Sequence, residues 1–93
     1  MERPNGMKWH TFDEFAPLML VMSGPKKYKR VATLWDAANM LTACWPIDDG
    51  EEYFTAIRAC RDALHGDVPA EDAREALIRA ANEAGIPVIS VAH

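Results

Sequence analysis

The chain has 93 residues, 49% of them hydrophobic and 26% charged, and a formal net charge of −4. That balance suits one small folded core and excludes the low-hydrophobicity, high-charge composition of a disordered chain. The surplus of carboxylates argues against a general polyanion binder, and no run approaches the roughly 20 apolar residues of a membrane span.

Residues 1–14 hold Pro4, Asn5 and Gly6 with only Trp9 and Phe12 as larger apolar groups, the pattern of a loosely held arm. The segment Met1-Glu2-Arg3-Pro4-Asn5-Gly6 lacks the apolar centre of a secretory signal, so a cytoplasmic location is expected. Residues 15–92 are expected to form one domain. Its first element is the apolar run Leu18-Met19-Leu20-Val21-Met22, followed by the turn formers Ser23-Gly24-Pro25-Lys26. With Tyr28 to Ala32 beyond, this predicts a β-hairpin turning near residues 23–26.

Thr33 precedes a helical pattern and Asp36 follows three residues later, so a capping box is expected with Asp in place of Glu or Gln. Leu34, Ala37, Ala38, Leu41, Cys44 and Trp45 recur at helical spacing as one buried stripe, and Pro46 forces Trp45 out of the helical region. A second helix opens on the acidic group Asp48, Asp49, Glu51 and Glu52, which suits the positive end of the helix dipole. Its stripe is Tyr53, Ala56, Ile57, Cys60, Ala63 and Leu64, and Gly66 is placed to stop it. Pro69 is expected as the first residue of a third helix, whose buried face is Ala73, Ala76, Leu77, Ala80 and Ala84. Gly85 caps that helix with Ile86 folding back on it, and Pro87-Val88-Ile89-Ser90-Val91 reads as a last short strand. The predicted class is α+β, in the order strand, strand, three helices, strand (ββαααβ), with helices packed on one face of a small sheet. The hairpin strand that pairs with the last strand is left open.

The two-strand start, the Trp45-Pro46 pair, Tyr53 with Ala56, Cys60, Ala63, Leu64 and Gly66, and the run from Ala73-Arg74 to Glu83-Ala84-Gly85-Ile86 resemble a family of short bacterial proteins known as domain of unknown function 982. The resemblance spans roughly Pro17 to Ile89 and implies the same fold and a bacterial origin, with no activity to carry over. The chain departs from the family pattern after Pro46, where a commonly basic, glycine-containing linker is replaced by Asp48-Asp49-Gly50-Glu51-Glu52.

Neither Cys44 nor Cys60 lies in a CxxC or Cys/His spacing, and both are expected to be buried thiols. His10, His65 and His93 stand far apart, so no metal site is expected. No nucleophile elbow, glycine-rich phosphate loop or zinc-protease motif occurs, and accordingly no catalytic residue or cofactor is assigned.

Three candidate surfaces remain. The basic run Lys26, Lys27, Tyr28, Lys29 and Arg30 has the chemistry to meet phosphate and stack a base, although lysines on an exposed strand also guard against edge-to-edge pairing. A small-ligand site near Trp45, Tyr53 and Arg58 would require a real cavity. At about 100° per residue, Trp35 and Phe54 fall off the buried stripes, and Arg58 and Arg61 share the flank of Phe54. Aromatic and arginine side chains are enriched at interface hot spots, and an arginine over Phe54 would add a cation–π contact of about 0.5–1 kcal/mol. The rings are either covered by another element of the same domain, such as the arm with Trp9 and Phe12, or exposed. On the second reading Trp35, Phe54, Arg58 and Arg61 are the expected interaction surface of a non-enzymatic module that binds a protein partner or a second copy of itself.

Overall fold

The apolar run from Leu18 to Val21 and the segment Tyr28 to Thr33 lie side by side as two strands. The structure, a computed structural model, describes residues 13–22 and 27–90. Strand β1 (Glu14–Val21) pairs antiparallel with β2 (Tyr28–Thr33), Leu18 opposite Val31 and Leu20 opposite Lys29. The hairpin turn and all of the arm but its last two residues lie outside the described residues, and Glu14 already opens β1. Between Glu14 and Leu18 the register slips, so both Phe15 and Leu18 reach the core, which strict alternation would forbid. The short β3 (Val88–Ser90) pairs antiparallel with β1, Leu20 opposite Val88, and this settles the partner that the sequence left open. The sheet order is β2-β1-β3, with β1 at the centre.

Helix α1 (Leu34–Asn39) begins at the expected box: the Asp36 amide donates to Thr33 Oγ1 at 3.0 Å and the Thr33 amide to Asp36 Oδ2 at 3.3 Å. The helix then widens to a π-helical turn over Met40–Cys44 and stops at Trp45, whose ψ of 136° is extended, as Pro46 demands. Pro46 has no amide hydrogen for the Leu41 carbonyl five residues back, and the Tyr53 hydroxyl donates to that carbonyl at 2.9 Å. The widened turn also carries Cys44 out of phase. Its thiol is exposed, contrary to the expectation from a regular 3.6-residue repeat, while Cys60 is buried.

Helix α2 (Glu51–Leu64) lacks a side-chain cap from its own N-cap residue, Gly50. The carboxylate of Glu83, at the far end of helix α3 (Ala70–Ala84), accepts from the Glu52 and Tyr53 amides, both at 3.1 Å. A Cβ on residue 50 would collide with that carboxylate, which is why glycine fits there. Pro69 is the N-cap of α3 rather than its first helical residue. At the other end Gly85, with φ 75°, sends its amide to Asn82 O at 3.2 Å and Ile86 sends its own to Ala81 O at 2.8 Å, the paired bonds of a Schellman cap.

Helix α3 packs on β1 and β3, α1 on β2, and α2 lies mainly against α3 and more lightly against α1. Small side chains meet where α2 and α3 cross: Ala56, Cys60 and Ala63 on one, Ala73, Ala76 and Ala80 on the other, all buried. Leu18, Leu20, Leu34, Leu41 and Leu77 are fully buried and fill the space between sheet and helices. Among the described residues no helix is long and apolar enough to cross a membrane.

Candidate interaction surface

A helix whose buried arc is narrow leaves its flanks to solvent. Trp35 is 63% exposed and Phe54 54% exposed, as their helical phase predicts, so each keeps more than half of its surface open. Trp9 and Phe12, the covering groups that the arm would supply, lie outside the described residues.

Trp35 and Arg61 come together as opposite walls of a groove of about 380 Å³ between α1 and α2, with Ala38, Ile57 and Leu64 between them and Thr42, Cys60 and His65 completing the lining. Ala38, Ile57 and Leu64 were assigned to the buried stripes, but they are only half-buried. The reason is that α2 leans on α3, so the seam with α1 stays open. Phe54 sits two turns before Arg61 on the same line of α2, about 20° away round the axis, and so extends this face.

Arg58 does not join it. It lines a second groove, between α2 and α3, where Asp62, Asp72, Glu75 and Arg79 are its charged neighbours. The expected arginine–Phe54 stacking is therefore corrected: the Phe54 ring meets the Tyr53 ring edge-on, centroids 5.5 Å apart at 72°. Among the described residues the cation–π contact is Lys27 over Tyr28, at 5.8 Å. Arg61 makes a loose ion pair with Asp62, Nε to Oδ1 3.9 Å, and its side chain is 64% exposed.

The basic hairpin is split by the strand's own alternation. Tyr28 and Arg30 are exposed on the sheet face away from the helices, paired with Val21 and Met19, while Lys29 stands opposite Leu20 on the other face. Lys27 is exposed and Lys26 lies outside the described residues. Ile89, opposite Met19 on the outer face, is also exposed, a feature that no sequence pattern singled out.

The third surface does not converge. Trp45 and Tyr53 pack against the core, whereas Arg58, five residues and about 140° round the helix from Tyr53, turns to the α2–α3 groove. The Trp45 Nε1–H is buried with no acceptor among the described residues. Of the acidic group, Asp48, Asp49 and Glu51 are exposed, and Glu52 pairs with Arg79 Nε at 3.5 Å. Among the described residues no three His, Cys, Asp or Glu side chains are placed to hold a metal ion.

The two thiols differ in setting: Cys60 lies in the lining of the open seam, whereas Cys44 lines a separate cleft with Met22, Pro46 and Ile86. Burial pushes Cys60 from 9.0 up to about 11, because its thiolate would be desolvated, whereas Cys44 is exposed. At pH 8 a thiol so raised holds about 100-fold less thiolate than an ordinary one, and the thiolate is the reacting form. In a timed alkylation with iodoacetamide read by mass spectrometry, Cys44 is expected to react at least about 100-fold faster than Cys60 in the folded protein, and at a similar rate in urea. Equal rates without denaturant would show that the α1–α2 seam opens to its floor.

A family model described as "Protein of unknown function (DUF982)" matches residues 16–88. No curated protein and no solved structure gives a match.

Proposed function

We infer that this chain, which belongs to the DUF982 family, is a protein-interaction module whose docking face is the outer surface of α1 and α2. The observation that carries the reading is the exposure of Trp35 and Phe54 beside an apolar groove that no described part of the chain fills. Leaving two large rings in water forgoes the burial that stabilises most aromatic side chains, about 1.5–3 kcal/mol for a phenylalanine. A partner that covers them recovers that free energy, and aromatic side chains of this kind carry a large share of binding at interfaces. Arg61, on the groove wall, adds a donor at the rim.

The basic hairpin has less support as a nucleic-acid contact. Lys29 faces away from Tyr28 and Arg30, and the chain carries a net charge of −4.

Sedimentation and pull-down on the wild type and on Phe54→Glu test the reading. The wild type is expected to self-associate or to retain a defined partner, and Phe54→Glu to weaken that association by about 30-fold or more, the effect of losing a hot spot worth about 2 kcal/mol. Phe54 is exposed, so the variant is expected to fold. A wild type that stays monomeric, retains no partner and behaves like Phe54→Glu would end the proposal.

A further inference from the structure

Resting on that docking face, we propose that its occupant is a segment of a different polypeptide carrying apolar anchors flanked by carboxylates, rather than a second copy of this chain. The charge around the groove decides between them. The sequence has 14 Asp and Glu against 10 Lys and Arg, yet among the described residues no carboxylate lines the α1–α2 groove. Its polar lining is Thr42, Arg61 and His65, and the Thr42 hydroxyl is already donated to the Ala38 carbonyl at 2.8 Å. Among the described residues the ion partner of Arg61 is Asp62, 3.9 Å from Nε and beyond hydrogen-bond reach, so the five donors of the guanidinium are not engaged by it. Arg58, by contrast, lines the other groove, whose charged lining is Asp62, Asp72 and Glu75 together with Arg79. Arg61 is thus the cation on this face available to an incoming carboxylate, and the fork of an arginine suits a carboxylate in two-point contact.

Size points the same way. A groove of about 380 Å³ is at the lower end of ligand-sized cavities, about 300–1,000 Å³, and accepts one or two apolar side chains rather than the body of a helix. That is the geometry of an amphipathic segment lying across the surface and inserting anchors at helical spacing. A two-fold dimer through this face would set the groove linings of two copies against each other, and among the described residues neither lining brings a carboxylate for the other copy's Arg61.

Fluorescence anisotropy on the full chain with two labelled amphipathic peptides tests the proposal. One carries Leu and Phe anchors at i, i+4 and i+7 with Glu between them, and its twin carries Lys wherever the first has Glu. The Glu peptide is expected to bind at least about tenfold more tightly than the Lys peptide at low salt, with the gap narrowing as salt rises. Arg61→Gln should abolish the gap and Arg61→Glu invert it, while Lys27→Glu, on the hairpin, leaves it in place. Circular dichroism confirms that each variant is folded. Equal binding of the two peptides, preference for the Lys peptide, or no binding of either overturns the proposed chemistry. Sedimentation separates that failure from failure of the docking face: self-association lost in Phe54→Glu, with no peptide bound, overturns the acidic partner and leaves the face standing as a homodimer contact. A monomer that binds neither peptide and retains no partner removes both.

Discussion

Leu77→Ala is expected to lower the stability of the domain by about 3–5 kcal/mol, the upper part of the range for a buried leucine. The cost has two parts: the lost transfer of the removed methyl groups out of water, and the void that remains where the surroundings do not close in. The second part decides the size here. Leu77 is fully buried on the face of α3 that also presents Ala73, Ala76, Ala80 and Ala81. Alanines have no side-chain torsion with which to swing into a gap, so the cavity persists. A domain of this length is held by about 5–14 kcal/mol in all, so the loss removes a large fraction of it. Urea titration followed by circular dichroism should show a much lower midpoint with an unchanged slope, and Leu77→Met, which conserves volume, should stay within about 1.5 kcal/mol of the wild type. A loss below about 1 kcal/mol for the alanine variant would mean that sheet and helices collapse together, contrary to the tight α2–α3 seam described above.

What was legible in the sequence is the part of the fold made by bonds between near neighbours. Thr33 with Asp36, and Gly85 with Ile86, close rings within three to five residues, so residue identity at fixed spacing suffices. Pro46 ends α1 by covalent geometry, and the exposure of Trp35 and Phe54 follows from helical phase. Long-range choices were not legible. Glu83 caps α2 from 31 residues away, β3 chooses β1 over β2, and the Tyr53 hydroxyl finds the Leu41 carbonyl. None of these has a periodic signal, because the donor and acceptor are placed by packing. Cys44 failed for a different reason: phase was extrapolated through a turn whose repeat had changed.

The candidate site divides along the same line. That Trp35 and Phe54 are exposed could be computed from one helix at a time. That Trp35 and Arg61 share a groove, while Arg58 turns to another, depends on how α2 is seated between α1 and α3. Its seating follows from the alanines: small residues draw α2 close to α3, the larger Ile57 and Leu64 are left at the seam with α1, and the seam stays partly open. The residues that make the tight packing thus also create the docking face.

Arg74 is the second position where one change should be severe, and Arg74→Ala is expected to cost about 2–3 kcal/mol. Its side chain is only 16% exposed, and three contacts leave it: Nε donates to the Ala16 carbonyl at 2.9 Å, one terminal nitrogen pairs with Glu71 at 3.4 Å, and the other reaches Ser90 Oγ at 3.4 Å. These contacts are unequal. Glu71 is more than half exposed, and ion pairs of that kind contribute about 0–1 kcal/mol, so Glu71→Gln should be nearly silent. The bond to Ala16 matters more because of where that carbonyl lies. It falls within the register slip of β1, between the Glu14 and Leu18 pairings, where the regular ladder is interrupted. The guanidinium supplies a charge-assisted donor at that interruption and ties α3 to the central strand, with Ser90 of the edge strand β3 alongside. Lysine cannot replace it, since a single ammonium lacks the fork that spans Ala16 and Ser90 together, and Arg74→Lys should recover less than half of the loss. For a domain of this size the alanine variant should melt about 10 °C or more below the wild type, with amide exchange accelerated first in β3 and in the β1 segment before Leu18. If Glu71→Gln proves as damaging as Arg74→Ala, the exposed ion pair and not the carbonyl contact holds this corner of the sheet.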